Sequence, residues 1–238
     1  MKRLAQVLAF AVIGFLPSHV GAQDRKGEFI GTMVLEDVDP TEGRKFKLGQ
    51  DLTYVDPEGA RWLARKGLVF DGATIPQALW SFVGSPYTGL YRRAAIIHDF
   101  YCTHLYRDWQ SVHRVFYNAM ITDGVSPVKA KLMYYAVVRF GPRWTVAEQT
   151  NCPPGMHCAI ILTTRVEMKK ALAKPEALND EASLRGEFSE IENSIQRDGL
   201  SAEQLETIAL QKPNVARDST SKILTGDEAA KYGQLKFY

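Results

Sequence analysis

Cysteine is scarce in this chain of 238 residues: there are three, at positions 102, 152 and 158. They leave no second ligand pair at zinc-finger spacing. Charge of one sign is also missing. The formal net charge is +2, from 29 basic and 27 acidic side chains. Two of the basic residues, Lys2 and Arg3, sit in a leader-like segment without acids, so the remainder is balanced. A balanced chain has no basic footprint for a phosphate backbone, which argues against nucleic-acid binding. Past residue 22 there is no apolar run long enough to span a bilayer, which takes about 20 residues. Internal repeats and low-complexity tracts are absent. What is present is an ordinary globular composition, 45% hydrophobic and 24% charged, which excludes collagenous, coiled-coil and wholly disordered chains.

The first 22 residues read as an export signal. Lys2 and Arg3 form the positive end, and Leu4 to Leu16 is apolar apart from Gln6 and Gly14. Pro17 ends the run, and Val20-Gly21-Ala22 offers small residues for cleavage after Ala22. The expected mature protein is periplasmic or secreted, with no transmembrane segment after cleavage. In an oxidising compartment Cys152 and Cys158 are expected to pair around Pro153-Pro154-Gly155, making 151–165 a clamped connector. A zinc site from Cys152, His157 and Cys158 is the rival reading. Cys102 is then a buried free thiol.

From Glu28 to about Phe70 the texture is β. The Asp56-Pro57-Glu58-Gly59 segment suits a type I turn between Leu52–Val55 and the strand that starts at Arg61. From Ile75 to Trp144 the period becomes helical. A short segment over 77–83 is followed by helices over about 90–106, 109–122 and 127–140. Asp108 is the expected N-cap of the second, Ser126-Pro127 opens the third, and Gly141-Pro142 stops it. Residues 23–150 therefore form a β-sheet plus helical core domain. From 166 the chain reads as a polar helical appendage. Leu184, Phe188, Ile191 and Ile195 make one stripe, Gly199 ends that helix, and Ser201 with Gln204 forms a capping box. A loose tail is expected after Pro213. On this reading the appendage is dispensable for folding of the core.

Chemistry concentrates in the helical middle. On the first long helix Leu90, Ala94, Ile97, Tyr101 and Leu105 mark the buried stripe, and His98 lies within it. Asp99 points about 100° away. On the next helix Trp109, Val112, Phe116 and Met120 mark the stripe that contains His113. The connection is short, so the helices are expected to be antiparallel neighbours, with the two histidines within ~4–5 Å in axial level. Such a pair can share a proton, a metal or a buried water. His104 falls off the stripe and reads as a solvated surface residue.

The blocks Phe70-Asp71-Gly72-Ala73-Thr74-Ile75-Pro76, Ala94-Ala95-Ile96-Ile97-His98-Asp99, Arg114-Val115-Phe116 and Ala136-Val137-Val138-Arg139-Phe140-Gly141 resemble an uncharacterised family of phage and bacterial proteins, domain-of-unknown-function family 1353, over about residues 29–144. The resemblance implies a small β-sheet followed by helices, and an aspartate, Asp71, in the loop after the sheet. The pair His98-Asp99-Phe100, followed on the next helix by Arg114-Val115-Phe116 and Met120, is also similar to the core of secreted phospholipases A2. That similarity implies His98 as a base, Asp99 as a calcium ligand, and carbonyls of the Gly84–Gly89 loop completing an oxygen shell. The position that orients the histidine in those enzymes is His113 here, and the usual tyrosine four residues on is Cys102.

The expected fold is α+β: a small antiparallel sheet, a three-helix His-Asp core and a helical C-terminal appendage. The expected function is an exported hydrolase, phospholipase-like or otherwise metal-assisted, acting on an ester or amide in lipid or cell-envelope material. His98, Asp71 and Asp99 are its candidate catalytic groups. Asp71, Asp99 and His113 are its candidate ligands for a divalent ion, calcium or zinc. The alternative is a non-catalytic envelope or interaction protein in which the His/Asp network is structural.

Overall fold

The computed structural model describes residues 27–38, 45–70, 89–150, 163–174, 178 and 180–236. The expected export signal at 1–22, Asp71, the expected segment over 77–83, residues 84–88, and Cys152 with Cys158 lie outside them.

The described chain is α+β, with small antiparallel sheets and six helices. The N-terminal strands make two sheets rather than the single one expected. One has the order β1 (Glu28–Ile30), β4 (Leu52–Val55), β5 (Arg61–Ala64); the other runs β2 (Leu35–Asp37), β3 (Phe46–Leu48), β6 (Val69–Phe70). The β4–β5 hairpin turns where Pro57 and Gly59 direct it. The Gly59 amide donates to the Asp56 carbonyl at 2.9 Å, and Gly59 has φ +89. The Asp56 carboxylate accepts from the Ala60 amide and the Trp62 indole, each at 2.8 Å, which locks the turn to the strand it feeds. Leu52, Tyr54, Trp62 and Ala64 then face the helices.

Three helices follow: α1 (Arg92–His104), α2 (Trp109–Thr122) and α3 (Pro127–Phe140). Asp108 caps α2 by accepting from the Ser111 amide at 2.7 Å. Pro127 opens α3, but Ser126 makes no side-chain cap bond. The stripes fall as the period places them, except at Leu90. That residue precedes α1 and is 62% exposed, because the helix starts two residues later than expected. His104 is half-buried rather than solvated. Its Nδ1 sits 2.8 Å from the Phe100 carbonyl, and its ring stacks on Phe100 at 4.1 Å and Tyr106 at 5.3 Å.

The C-terminal third differs most from expectation. Besides α4 (Glu181–Asp198) and α5 (Ala202–Gln211), it supplies β8 (Thr163–Ala173), β9 (Arg217–Thr225) and α6 (Gly226–Leu235). With β7 (Arg143–Thr150) these strands form an antiparallel sheet in the order β7-β8-β9. The segment after Pro213 is thus a strand and a helix, not a loose tail. The reason is that β9 pairs through its backbone while Leu224 is its one buried side chain, so no apolar alternation marks it. Helix α4 buries Leu184, Phe188, Ile191 and Ile195, with Phe188 against Tyr135 of α3 at 5.6 Å. The Ser201–Gln204 capping box opens α5. No helix among the described residues is long and apolar enough to cross a membrane.

Candidate metal centre

Helix α1 ends in a left-handed residue, Leu105 (φ 58), whose amide bonds the Tyr101 carbonyl. The chain turns back at once into α2, so the two helices lie side by side and their inner stripes face each other. His98 and His113 meet there. His98 Nε2 is 2.9 Å from His113 Nδ1, and the two rings are 3% and 0% exposed. One turn beyond His98 on the same face, Cys102 Sγ lies 3.6 Å from His98 Nε2. The facing nitrogens and the sulfur all fall within 4.8 Å of one another, a spacing at which they could hold a metal ion. Phe116 packs against His98 with the rings tilted at 4.9 Å, while Trp109 and Trp144 pack against His113 at 5.5 and 6.3 Å.

The outer ring nitrogens are also engaged. His113 Nε2 donates to the Pro142 carbonyl at 3.2 Å, just past the end of α3. His98 Nδ1 lies 3.5 Å from Asp99 Oδ1. The electrostatics follow from this layout. Burial works against a charged His98, but the Cys102 sulfur and the Asp99 carboxylate outweigh it and raise its pKa above the ordinary value. Burial and then the neighbouring His98 push the pKa of His113 well below its ordinary range, against the pull of the Pro142 carbonyl.

Of the residues proposed from sequence, the structure brings His98 and His113 together and sets Asp99 on the outer side of the His98 ring. Asp71 is outside the described residues. Two participants went unread. Cys102 reads from sequence as a buried core thiol, although its place four residues after His98 puts it on the same helical face. The Pro142 carbonyl carries no sequence signal beyond the Gly141-Pro142 stop. Cys102 is a free thiol.

The geometry can be set beside known proteins. Residues 46–137 match the family described as protein of unknown function, DUF1353. The chain is similar to this family over that stretch. The matched region contains His98, Asp99, Cys102 and His113, and stops short of Pro142 and the C-terminal sheet. Two curated relatives come from Sinorhizobium fredii (strain NBRC 101917 / NGR234). Uncharacterized protein y4iH is 44% identical over 131 residues, covering 55% of this chain and 54% of that protein. Uncharacterized protein y4jT is 34% identical over 230 residues, covering 91% of this chain and 66% of that protein. The chain thus spans between about half and two thirds of the relatives it matches. No solved structure matches it.

Proposed function

We propose that the chain binds a transition-metal ion of the zinc type through His98 Nε2, His113 Nδ1 and Cys102 Sγ, and that this centre performs metal-assisted hydrolysis of an ester or amide. One observation carries the metal. Both outer nitrogens face acceptors, the Pro142 carbonyl and the Asp99 carboxylate. If each carries its hydrogen there, two lone pairs face each other across 2.9 Å. That arrangement repels unless a cation lies between them. Ring nitrogens held from outside by a carbonyl and a carboxylate are the usual support of metal-ligating histidines.

The distances suit the assignment. Zinc bonds of about 2.0–2.1 Å to nitrogen and 2.3 Å to sulfur, at tetrahedral angles, put S and N about 3.6 Å apart. The Cys102 sulfur stands 3.6 Å from His98 Nε2, and the three ligand atoms together lie within 4.8 Å, so the His113 ring would have to close on the sulfur as the ion binds. Two nitrogens on one zinc stand about 3.3 Å apart, which a small ring rotation supplies. Two nitrogens and a sulfur suit zinc and not calcium, which takes oxygen ligands. Three protein ligands leave a fourth position, the arrangement of catalytic rather than closed structural sites. Zinc supplies an acidified water at such a position. His98, His113 and Cys102 hold the ion, and Asp99 orients His98. The export pattern of the N-terminus makes lipid or cell-envelope material the substrate class in this proposal.

A proton is the competing cation. The burial of both rings and the opposite displacement of their pKa values favour one shared proton resident on His98, balanced by Asp99. The network is then structural and the protein a non-catalytic envelope or interaction protein. Chelator-stripped protein titrated with zinc and with cobalt separates the two. The metal reading expects one equivalent bound, a raised melting temperature, a thiolate-to-cobalt charge-transfer band lost in Cys102→Ser, and ester turnover that returns with the metal. Asp99→Asn is expected to weaken binding about 10–100-fold with the fold retained. Protein that binds no metal, with a melt indifferent to chelator, leaves the proton reading. Metal bound without turnover refutes the hydrolase and keeps the centre.

A further inference from the structure

Two adjoining cavities open behind the last turn of α1, on the side away from the histidine pair. One, of about 490 Å³, lies among that turn, the β8–β9 face and α6; the other, of about 350 Å³, reaches Leu63 and Phe100. They share His104, Tyr106, Lys231 and Leu235, and so form one trough. Its floor is apolar: Leu105, Met168, Leu224 and Tyr232 are all buried. Its wall is an aromatic ladder in which Phe100, His104, Tyr106 and Tyr232 follow one another at 4.1, 5.3 and 5.2 Å.

The rim is basic. Lys170, Lys222 and Lys231 border the larger cavity, against Glu228 as the acid among its described lining residues. Lys170 donates to the Cys102 carbonyl, a neutral partner that leaves its charge in place. Lys222 and Lys231 are exposed and form no ion pair among the described residues. An apolar trough of this size with a few charged groups at one side is the ordinary form of a small-molecule site. Unpaired ammonium groups beside a greasy floor specify a negative head and an apolar body.

We infer that this trough binds a single-chain anionic amphiphile, with its carboxylate or phosphate head on Lys222 and Lys231 and its chain along the floor between Leu224 and Leu235. The inference shares no ligand residue with the metal centre and stands whether or not that centre holds an ion.

Calorimetric titration of the full chain with decanoate, decanol and acetate tests it. Decanoate is expected to bind more tightly than about 1 mM, decanol about tenfold more weakly, and acetate without measurable heat. The double variant Lys222→Glu/Lys231→Glu, both at exposed positions, is expected to melt as the parent does and to bind decanoate about tenfold more weakly. Leu235→Asp is expected to weaken both chain-bearing ligands. Decanoate that fails to bind at millimolar concentration overturns the inference. So does equal binding of decanol, or a charge-reversed variant that holds decanoate as the parent does.

Discussion

Tyr232, near the end of α6, donates its hydroxyl to the backbone carbonyl of Leu105, the residue that turns α1 back into α2. Leu105 is the sole described residue other than glycine with positive φ. Such a conformation costs of order 1–3 kcal/mol and persists where its surroundings over-determine it. Two more side chains secure the same connector: Lys170 of β8 on the Cys102 carbonyl, and the Trp144 indole of β7 on the Arg107 carbonyl at 2.8 Å. The C-terminal sheet and helix thus hold the bend that brings His98 opposite His113. Tyr232→Phe keeps the packing and removes the donor, leaving a buried carbonyl unsatisfied. A loss of about 1–3 kcal/mol in denaturant unfolding is expected. An unchanged midpoint would show that the bend holds itself.

The same contacts bear on the C-terminal third, which reads from sequence as dispensable. Phe188 of α4 is fully buried against Tyr135 and Phe140 of α3. Glu187 accepts from Tyr135 and Arg139, and Glu206 from Tyr134 and Arg114. A chain ending at Thr164 would expose that face of α3 with its polar groups unpaired. It is expected to be recovered as aggregate, while the full chain is soluble under the same expression. A soluble, monomeric truncation with a cooperative melt would restore the sequence reading.

What could be read ahead of the structure was local. The Asp108 cap, the Ser201–Gln204 box, the Gly199 stop and the α4 stripe each depend on residues within one or two turns of each other. The facing of His98 and His113 was legible for a related reason, since a short connection fixes axial level. Cys102 was not, because an i+4 thiol on an apolar face looks like core until the neighbouring helix is placed. The β7–β8–β9 sheet was hidden by its edges. Arg217–Thr225 is almost all solvent-facing, and its place rests on backbone pairing, which leaves no trace in side-chain pattern.

Gly141 ties the end of α3 to the site. Its φ of −63 suits any residue, so space is what demands glycine. A Cβ built there would stand 2.3 Å from the Val137 carbonyl oxygen and 3.2 Å from His113 Nε2. Gly141→Ala must therefore move the helix end or the Pro142 carbonyl on which His113 rests. A destabilisation of about 1–3 kcal/mol is expected. It should come with a displaced His113 ring N–H resonance in the NMR spectrum. An alanine variant with parental stability and resonance would show that the α3 end gives way freely.

Buried phenols set the alkaline limit of the fold. Burial is the first cause that raises the pKa of Tyr54, to about 12, and of Tyr134, Tyr135 and Tyr232 beyond that. The carboxylates of Glu206 and Glu187, which accept from Tyr134 and Tyr135, add to the effect. A raised folded-state pKa means that the native protein holds its phenolic protons more tightly than the unfolded chain. The associated stability is fully present below the ordinary tyrosine value of about 10 and is lost as pH rises through the folded-state values. Unfolding midpoints in denaturant should therefore hold level up to about pH 10 and fall beyond it. The ultraviolet signal of phenolate from the buried set should develop above that pH, together with loss of helical circular dichroism. Tyr134→Phe and Tyr135→Phe should each make the alkaline decline shallower. Phenolate absorbance that completes in one stage near the ordinary value, with the helices intact, would place these hydroxyls in contact with water and remove the argument.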